Sequence, residues 1–171
     1  MALLTILTYP DPRLREVARP VANVDDSIRS VIDDMAETMY SAPGIGLAAT
    51  QVGIPLRIFV IDTAIEGEQS DLRVFINPQI VERRGKHTWR EGCLSFPDVA
   101  EEVKRAQSVR VKALDRDGRP FELDAEDLLA VAIQHEADHL DGILMIDQVS
   151  PFARRRIGRK LATRARPTLS G

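Results

Sequence analysis

The chain has 171 residues, of which 44% are hydrophobic and 29% are charged, and its formal net charge is −3. This length suits one domain with a sizeable core, so we expect a single domain over residues 1–171. No apolar run reaches membrane-spanning length, no signal peptide is evident and Cys93 is the only cysteine, which excludes an internal disulfide framework and favours the cytoplasm.

The first half of the chain predicts a helix, a loop and two strands. Apolar residues recur at steps of three and four over 25–40, which is typical of an amphipathic helix. The stretch APGIGLAATQVGIP at 42–55 is rich in Gly and Ala, and we interpret it as a loop whose backbone approaches another group closely. Short β-branched and aromatic runs at 57–62 and 73–76 predict strands.

The second half predicts a hairpin followed by a central helix. Residues 108–114 alternate between apolar and polar, and DRDG at 115–118 predicts a turn into a strand at 120–123. Asp124 is the expected N-cap of the next helix, Gly142 its expected end, and a last helix is expected from about 151 to 166. Strands followed by a late helix indicate an α+β fold, in which antiparallel strands surround the central helix and a C-terminal helix follows.

The segment QHEADH at 134–139 lies in the predicted central helix. His135 and His139 are four residues apart and project from one helix face, where both imidazoles can reach one ion. Glu136 lies beside them, so the pattern is H-E-x-x-H, and it predicts a metal with a nearby proton acceptor. Two of the chain's three histidines are in this motif, which favours a metal site over an ordinary amphipathic helix.

The third metal ligand has two possible sources. Asp138, Asp141 and Asp147 follow the motif and offer carboxylates. Cys93 lies in EGCLSFP at 91–97, where Gly92 is expected to let the backbone turn tightly. A free cysteine is most often a buried small side chain, but a thiolate with two imidazoles suits zinc or ferrous iron, and we favour Cys93.

Three separated segments together resemble the signature motifs of the peptide deformylase family: GIGLAATQ at 44–51, EGCLS at 91–95 and QHEADH at 134–139. The likeness extends over nearly the whole chain. It implies an enzyme that removes the N-formyl group from the formyl-methionine of nascent polypeptides and releases formate. It also implies one Fe2+ per chain, with Zn2+, Ni2+ or Co2+ as substitutes, and a monomer.

The resemblance implies a role for each matched residue. Cys93, His135 and His139 would hold the metal, Glu136 would be the general base and acid for metal-bound water, and the Gln51 amide and Leu94 N–H would bind the oxyanion. Residues implied to bind the peptide or its methionine are Gly44, Ile45, Gly46, Gly92, Leu128, Val131 and Ala132. Glu91, Arg105 and Asp138 would orient the ligands. For Leu128 and Val131, simple core packing is the alternative.

Two positions depart from the family's pattern. Ala100 is near the place of a basic residue that contacts substrate in many relatives, so the outer end of the peptide site is expected to differ. Trp89 is where a smaller aliphatic residue is common, and it either caps the methionine pocket or covers the core.

The C-terminal segment is strongly basic. Residues 151–171 carry seven basic residues and no acid, whereas the remainder carries 16 of the 23 basic and all 26 acidic residues, a balance of −10. The resemblance implies that this helix docks on the ribosome through rRNA phosphates, and the alternative is a solvated helix.

The sequence is also compatible with two other functions, both of which its residues disfavour. An H-E-x-x-H enzyme that cleaves internal peptide bonds is disfavoured by Cys93. A non-catalytic ribosome-binding relative with a structural metal is disfavoured because Glu136 and Gln51 are both present.

Overall fold

The computed structural model describes residues 2–64 and 67–165, with side chains up to residue 162. Among the helices of these residues, none combines the length and the apolar character that a membrane crossing requires. The elements are α1 (Asp26–Ser41), β1 (Gly46–Ala48), β2 (Ile58–Ile61), β3 (Arg73–Arg84), β4 (His87–Cys93), β5 (Phe96–Arg105), β6 (Ser108–Leu114), β7 (Pro120–Glu126), α2 (Asp127–Leu140) and α3 (Pro151–Ala165), with short 3-10 helices at Pro12–Arg15, Ala49–Val52 and Met145–Asp147.

The strands of the described residues form two antiparallel sheets. One has five strands in the order β1-β2-β3-β6-β7, and the other is the hairpin of β4 and β5. Within β6, Val109, Val111 and Ala113 are buried and the residues between them are not, as the period-2 pattern predicts. With the three helices, this architecture confirms the predicted α+β class.

The helix α2 packs on the five-stranded sheet because one of its faces is apolar. Ala130, Ile133 and Leu140 of α2 lie in one core cluster with Phe59 and Phe75 of the sheet. Complete burial of a side chain such as Ile133 stabilises the fold by about 1.5–3 kcal/mol. This packing fixes α2 in the middle of the molecule and leaves its other face to the hairpin of β4 and β5.

Two further clusters hold the remaining helices. The helix α1 packs Ile32, Met35 and Met39 against β1 and β2. The helix α3 packs Ile157 and Leu161 in a cluster with residues of β5 and of the segment before α3. The end of α3 predicted at 166 lies outside the described residues.

The prediction of a loop at 42–55 is wrong in part, because this segment contains a strand and a 3-10 helix. Gly46–Ala48 form β1, which pairs with β2, and Ala49–Val52 form a 3-10 helix. Leu47 is completely buried, and the small residues around it let the backbone of β1 lie close to both α1 and α2. The strand predicted at 73–76 extends to Arg84, and β4 and β5 were not predicted, because charged side chains interrupt their alternation.

The predicted N-cap at Asp124 is also wrong. Asp124 lies in β7 opposite Arg110, with which it forms an ion pair of 2.9 Å. The strand pairing therefore continues to Glu126, and α2 begins at Asp127. The predicted end holds: Gly142 has φ 73°, and a Cβ there would lie 2.5 Å from the carbonyl oxygen of Arg15.

Candidate metal and catalytic site

The ligand atoms of a thiol and two imidazoles converge from two elements. Cys93 ends β4, while His135 and His139 lie one turn apart on α2. His139 Nε2 lies 3.2 Å from His135 Nε2 and 3.4 Å from Cys93 Sγ, and the three atoms lie within 4.8 Å of one another. Nitrogen ligands of a tetrahedral ion with bonds of about 2.1 Å are separated by roughly 3.4 Å. The three residues therefore form a possible site for one metal ion.

The carboxylates that competed with Cys93 as third ligand have other partners. Asp138 Oδ2 accepts a hydrogen bond of 2.6 Å from Arg105, and Asp141 Oδ1 one of 2.9 Å from Arg57. Asp147 pairs with Arg15 and accepts from the Leu144 N–H. Among the described residues, the group that can hold a metal consists of Cys93, His135 and His139.

A buried carboxylate orients His135. Glu91 Oε1 lies 2.9 Å from His135 Nδ1, and a carboxylate only accepts hydrogen bonds, so Nδ1 carries the hydrogen and Nε2 keeps its lone pair for a metal. Arg105 donates to both oxygens of Glu91, at 2.9 and 3.0 Å. Burial alone would raise the pKa of Glu91, but the hydrogen bonds from His135 and Arg105 outweigh it and lower this pKa to about 2.

The surroundings of His135 favour positive charge at its Nε2, which either a proton or a metal ion can supply. Burial lowers the pKa of His135, but Cys93 and Glu91 outweigh burial and hold this pKa above its ordinary value. Burial, and then His135, lower the pKa of His139, so His139 is neutral and can coordinate. The donor set therefore fits a divalent metal ion.

Glu136 is buried next to the ligands. Burial raises its pKa to about 7, even though His135 opposes the shift. Its Oε1 has no hydrogen-bond partner among the residues that the structure describes. Its Oε2 lies against β1, where a Cβ on Gly46 would come within 2.5 Å. A carboxyl group with this pKa exchanges protons near neutral pH.

The amide of Gln51 is held in one orientation. Its Oε1 accepts a hydrogen bond of 2.9 Å from the Ala48 N–H. Its Nε2 is therefore directed toward Cys93 and Ser95, 3.6 Å from Sγ and 3.0 Å from Oγ. Leu94 follows Cys93 in the turn between β4 and β5, and its side chain packs on Gly44, where a Cβ would lie 2.7 Å from Leu94 Cδ1.

A cavity of about 430 Å³ opens beside these groups. Ile45 and Leu128 are 44% and 36% exposed at its rim, whereas Val131 and Ala132 are buried in its wall. The cavity brings together the residues that the sequence analysis assigned to the peptide and the reaction, which are Gly44, Ile45, Gly46, Gln51, Gly92, Cys93, Leu94, Leu128, Val131, Ala132, His135 and Glu136.

Comparison with known proteins decides the family. The sequence model of the polypeptide deformylase family matches residues 3–155. A peptide deformylase of Alkalilimnicola ehrlichii is 60% identical over 161 residues, which are 94% of this chain and 90% of that protein. The chain belongs to the polypeptide deformylase family. As an enzyme of this family, it removes the N-formyl group from nascent peptides.

Solved deformylase structures share the whole fold. The peptide deformylase of Legionella pneumophila is 45% identical with a TM-score of 0.87, and the comparison covers 96% of this chain and 99% of that one. The peptide deformylase of Ehrlichia chaffeensis, solved in complex with actinonin, is 39% identical with a TM-score of 0.91 over 98% of this chain and 100% of that one.

Two residues of this deformylase site differ from the expectations based on the sequence. Gly92 lies inside β4, opposite Ala100, so the predicted tight turn there is wrong, and the chain turns after Cys93. Ser95 was missed: it is completely buried and accepts from Gln51 Nε2, and its place beside Cys93 was the available signal. Trp89 lines the cavity, in agreement with the first of its two interpretations.

Proposed function

We propose that this deformylase uses Fe2+ held by Cys93, His135 and His139, with Glu136 as the proton carrier and Gln51 and Leu94 as oxyanion donors. The observation that carries the proposal is the convergence of the three ligand atoms beside a buried carboxyl group at the base of an open cavity. Zn2+, Ni2+ or Co2+ would fit the same donor set of one thiolate and two imidazoles.

The metal supplies Lewis-acid chemistry when bound, lowering the pKa of water and polarising the formyl oxygen. The protein's residues supply the rest. Glu91 holds the His135 ring through Nδ1, and Arg105 donates hydrogen bonds to both oxygens of Glu91. Asp138 accepts from the third nitrogen of the Arg105 guanidinium. This chain of buried contacts keeps the ligands in position.

Glu136 is suited to move the proton. As a carboxylate it accepts a proton from the attacking water, and as a carboxylic acid it donates that proton to the departing amine. The pKa of about 7 makes both forms accessible at neutral pH. The exclusion of solvent from its Oε1 also strengthens its electrostatic interactions with the reacting atoms.

The oxyanion is assigned two donors from this chain. The Gln51 amide is held by Ala48 with its Nε2 directed toward Cys93, so the donor is positioned before substrate binds. The Leu94 backbone N–H lies one residue after the thiolate, in a turn fixed by packing on Gly44. Such preorganised donors act on charge that develops in the transition state.

The peptide is assigned to the free side of β1. Among the described strands, β1 pairs only with β2 and is the edge of the five-stranded sheet, so its other side can accept an extended peptide. Gly44, Ile45 and Gly46 would bind the peptide backbone, and Gly92 borders the same cavity. The methionine side chain would lie against Leu128, Val131 and Ala132.

The basic helix α3 is proposed to dock on ribosomal RNA. Arg155 and Phe152 are exposed on one side of α3, while Arg154 pairs with Asp147 at 3.6 Å and Arg156 pairs with Glu101. Arg164 and Arg166 lie outside the part of the chain whose side chains are described. We further propose a cytoplasmic monomer with a single catalytic domain over 1–171.

The decisive experiment measures formate release from formyl-Met-Ala-Ser by protein prepared without air and loaded with Fe2+. The paired variant is Glu136→Gln, which keeps the size of the side chain and loses its proton exchange. We expect the variant to keep one metal per chain and to lose at least a hundredfold in turnover. Wild-type activity in the variant would refute the role of Glu136, and activity that survives removal of the metal would refute the metal site.

A further inference from the structure

A second cavity, of about 440 Å³, lies on the other side of Arg105 from the metal ligands. We refer to it as the basic cleft. The turn between β3 and β4, in which Gly85 has φ 69°, places Arg83 and Lys86 at this cleft. Lys104 and Arg105 reach it from the end of β5, which pairs with the start of β4. Three separate strand ends thus bring four cationic side chains to one cavity.

The positive charge of the basic cleft is not balanced locally. Arg83, Lys86 and Lys104 are exposed and form no ion pair with any described residue. The carboxylate in the cleft wall, Asp138, is bound to Arg105 and also accepts from the Gln148 amide at 3.3 Å. In a chain with a net charge of −3, three unpaired cations in one concavity concentrate positive potential there.

Arg105 provides a fixed donor at the base of the cleft. Its side chain is only 5% exposed, and it is held by Glu91 and Asp138. Its Nε, Nη1 and Nη2 each donate one hydrogen bond to these carboxylates. A guanidinium has five N–H groups, so two have no partner among the described residues. A rigid buried donor beneath flexible exposed cations is an arrangement suited to an anion.

We propose that the basic cleft binds phosphate groups, either of a small phosphorylated molecule or of an RNA backbone. A phosphate presents several oxygens in a tetrahedral arrangement, so cations from different strand ends can contact it simultaneously. A carboxylate presents two oxygens in one plane and would engage fewer of them. The cleft is separate from the metal cavity, and Arg105 and Glu91 lie between its ligand and His135.

The test uses two probes on zinc-loaded protein, since zinc is diamagnetic and gives narrow NMR lines. Inorganic phosphate is titrated while amide chemical shifts are recorded, and a fluorescent decauridylate is titrated by anisotropy at several salt concentrations. We expect phosphate to shift the amides of Gly85, Lys86 and Ala106 rather than those of Gly46 and Gly92. Affinity for the RNA should fall as salt rises.

The variant Lys86→Gln/Lys104→Gln removes two of the unpaired cations. We expect this double variant to bind phosphate and the decauridylate about tenfold more weakly than the wild type does. The control is Lys112→Gln, which removes an exposed lysine from β6, where it pairs with Glu122 at 3.2 Å, and it should bind as the wild type does.

The two probes also distinguish the source of the phosphate. Saturation by inorganic phosphate alone supports a small phosphorylated ligand, whereas binding of the RNA alone, lost in the double variant, supports an RNA backbone. The proposal is overturned if neither probe binds the wild type at low salt, if shifts appear only around the metal cavity, or if the control weakens binding as much as the double variant.

Discussion

Gly46 and Glu136 are in such close contact that a side chain at residue 46 would have to displace the Glu136 carboxyl group. A Cβ built on Gly46 would lie 2.5 Å from Glu136 Oε2 and 3.1 Å from its Cδ. The strand β1 therefore fixes the position of the buried carboxyl group from one side. Glycine at this position of the motif therefore leaves space for the proposed catalytic residue.

The substitution Gly46→Ala should displace Glu136 and impair the reaction. We expect turnover to fall at least tenfold while metal content is unchanged, because a shift of about 1 Å in a reacting group can cost up to a hundredfold. Formate release and metal analysis would measure the two effects. The control is Gly158→Ala in α3, where a Cβ meets nothing within 4 Å and turnover should not change. Full activity of Gly46→Ala would mean that Glu136 tolerates displacement.

The substitution Gln51→Ala should lower turnover by roughly a hundredfold or more, with little change in metal content, because it removes the proposed oxyanion donor. Its partner variant is Ser95→Ala, which removes the hydroxyl that accepts from Gln51 Nε2 and leaves the amide in place. We expect a smaller loss for Ser95→Ala. Steady-state kinetics with a formyl-methionyl peptide measures turnover for both variants. Equal losses of turnover would show that Ser95, by orienting the Gln51 amide, matters as much as the amide itself.

The substitution Glu91→Gln should weaken metal binding by about 10–100-fold, because the hydrogen bond that orients His135 loses its charge. It also leaves Arg105 in a buried place with one fewer carboxylate, which should destabilise the fold by about 3–5 kcal/mol. Zinc competition and urea unfolding measure these two quantities. The control is Glu122→Gln, which removes a half-exposed ion pair with Lys112 and should lower the free energy of unfolding by less than about 1 kcal/mol. Unchanged zinc affinity in Glu91→Gln would contradict the orienting role.

The stability of the metal-free protein should depend on pH through Glu91. The pKa of this carboxyl group is about 2 in the folded protein and lies near 4.5 ordinarily. Because the folded pKa is lowered, the stabilisation is fully present above pH 4.5 and is lost as pH falls toward 2. The difference in unfolding free energy between wild type and Glu91→Gln should therefore narrow over this window. A difference that stays constant from pH 6 to pH 3 would show that the charge of Glu91 does not contribute.

The sequence by itself determined those features that depend on local geometry. His135 and His139 share a helix face because four residues make about one turn, so their joint role needed no knowledge of the fold. The hairpin of β6 and β7 follows in the same way from alternation and the DRDG turn, and α1 follows from its apolar residues at steps of three and four. The family resemblance depended on motifs of this local kind.

The tertiary structure decided what depends on contacts between distant segments. Cys93, rather than Asp138, Asp141 or Asp147, lies beside the two histidines because the hairpin of β4 and β5 lies against α2. Arginines from elsewhere in the chain bind the three carboxylates. Asp124 is not a helix cap because its strand continues to pair with β6. Tertiary structure also produces the close contact of Gly46 with Glu136 and the convergence of cations at the basic cleft. In both cases, elements that are far apart in the sequence lie next to each other.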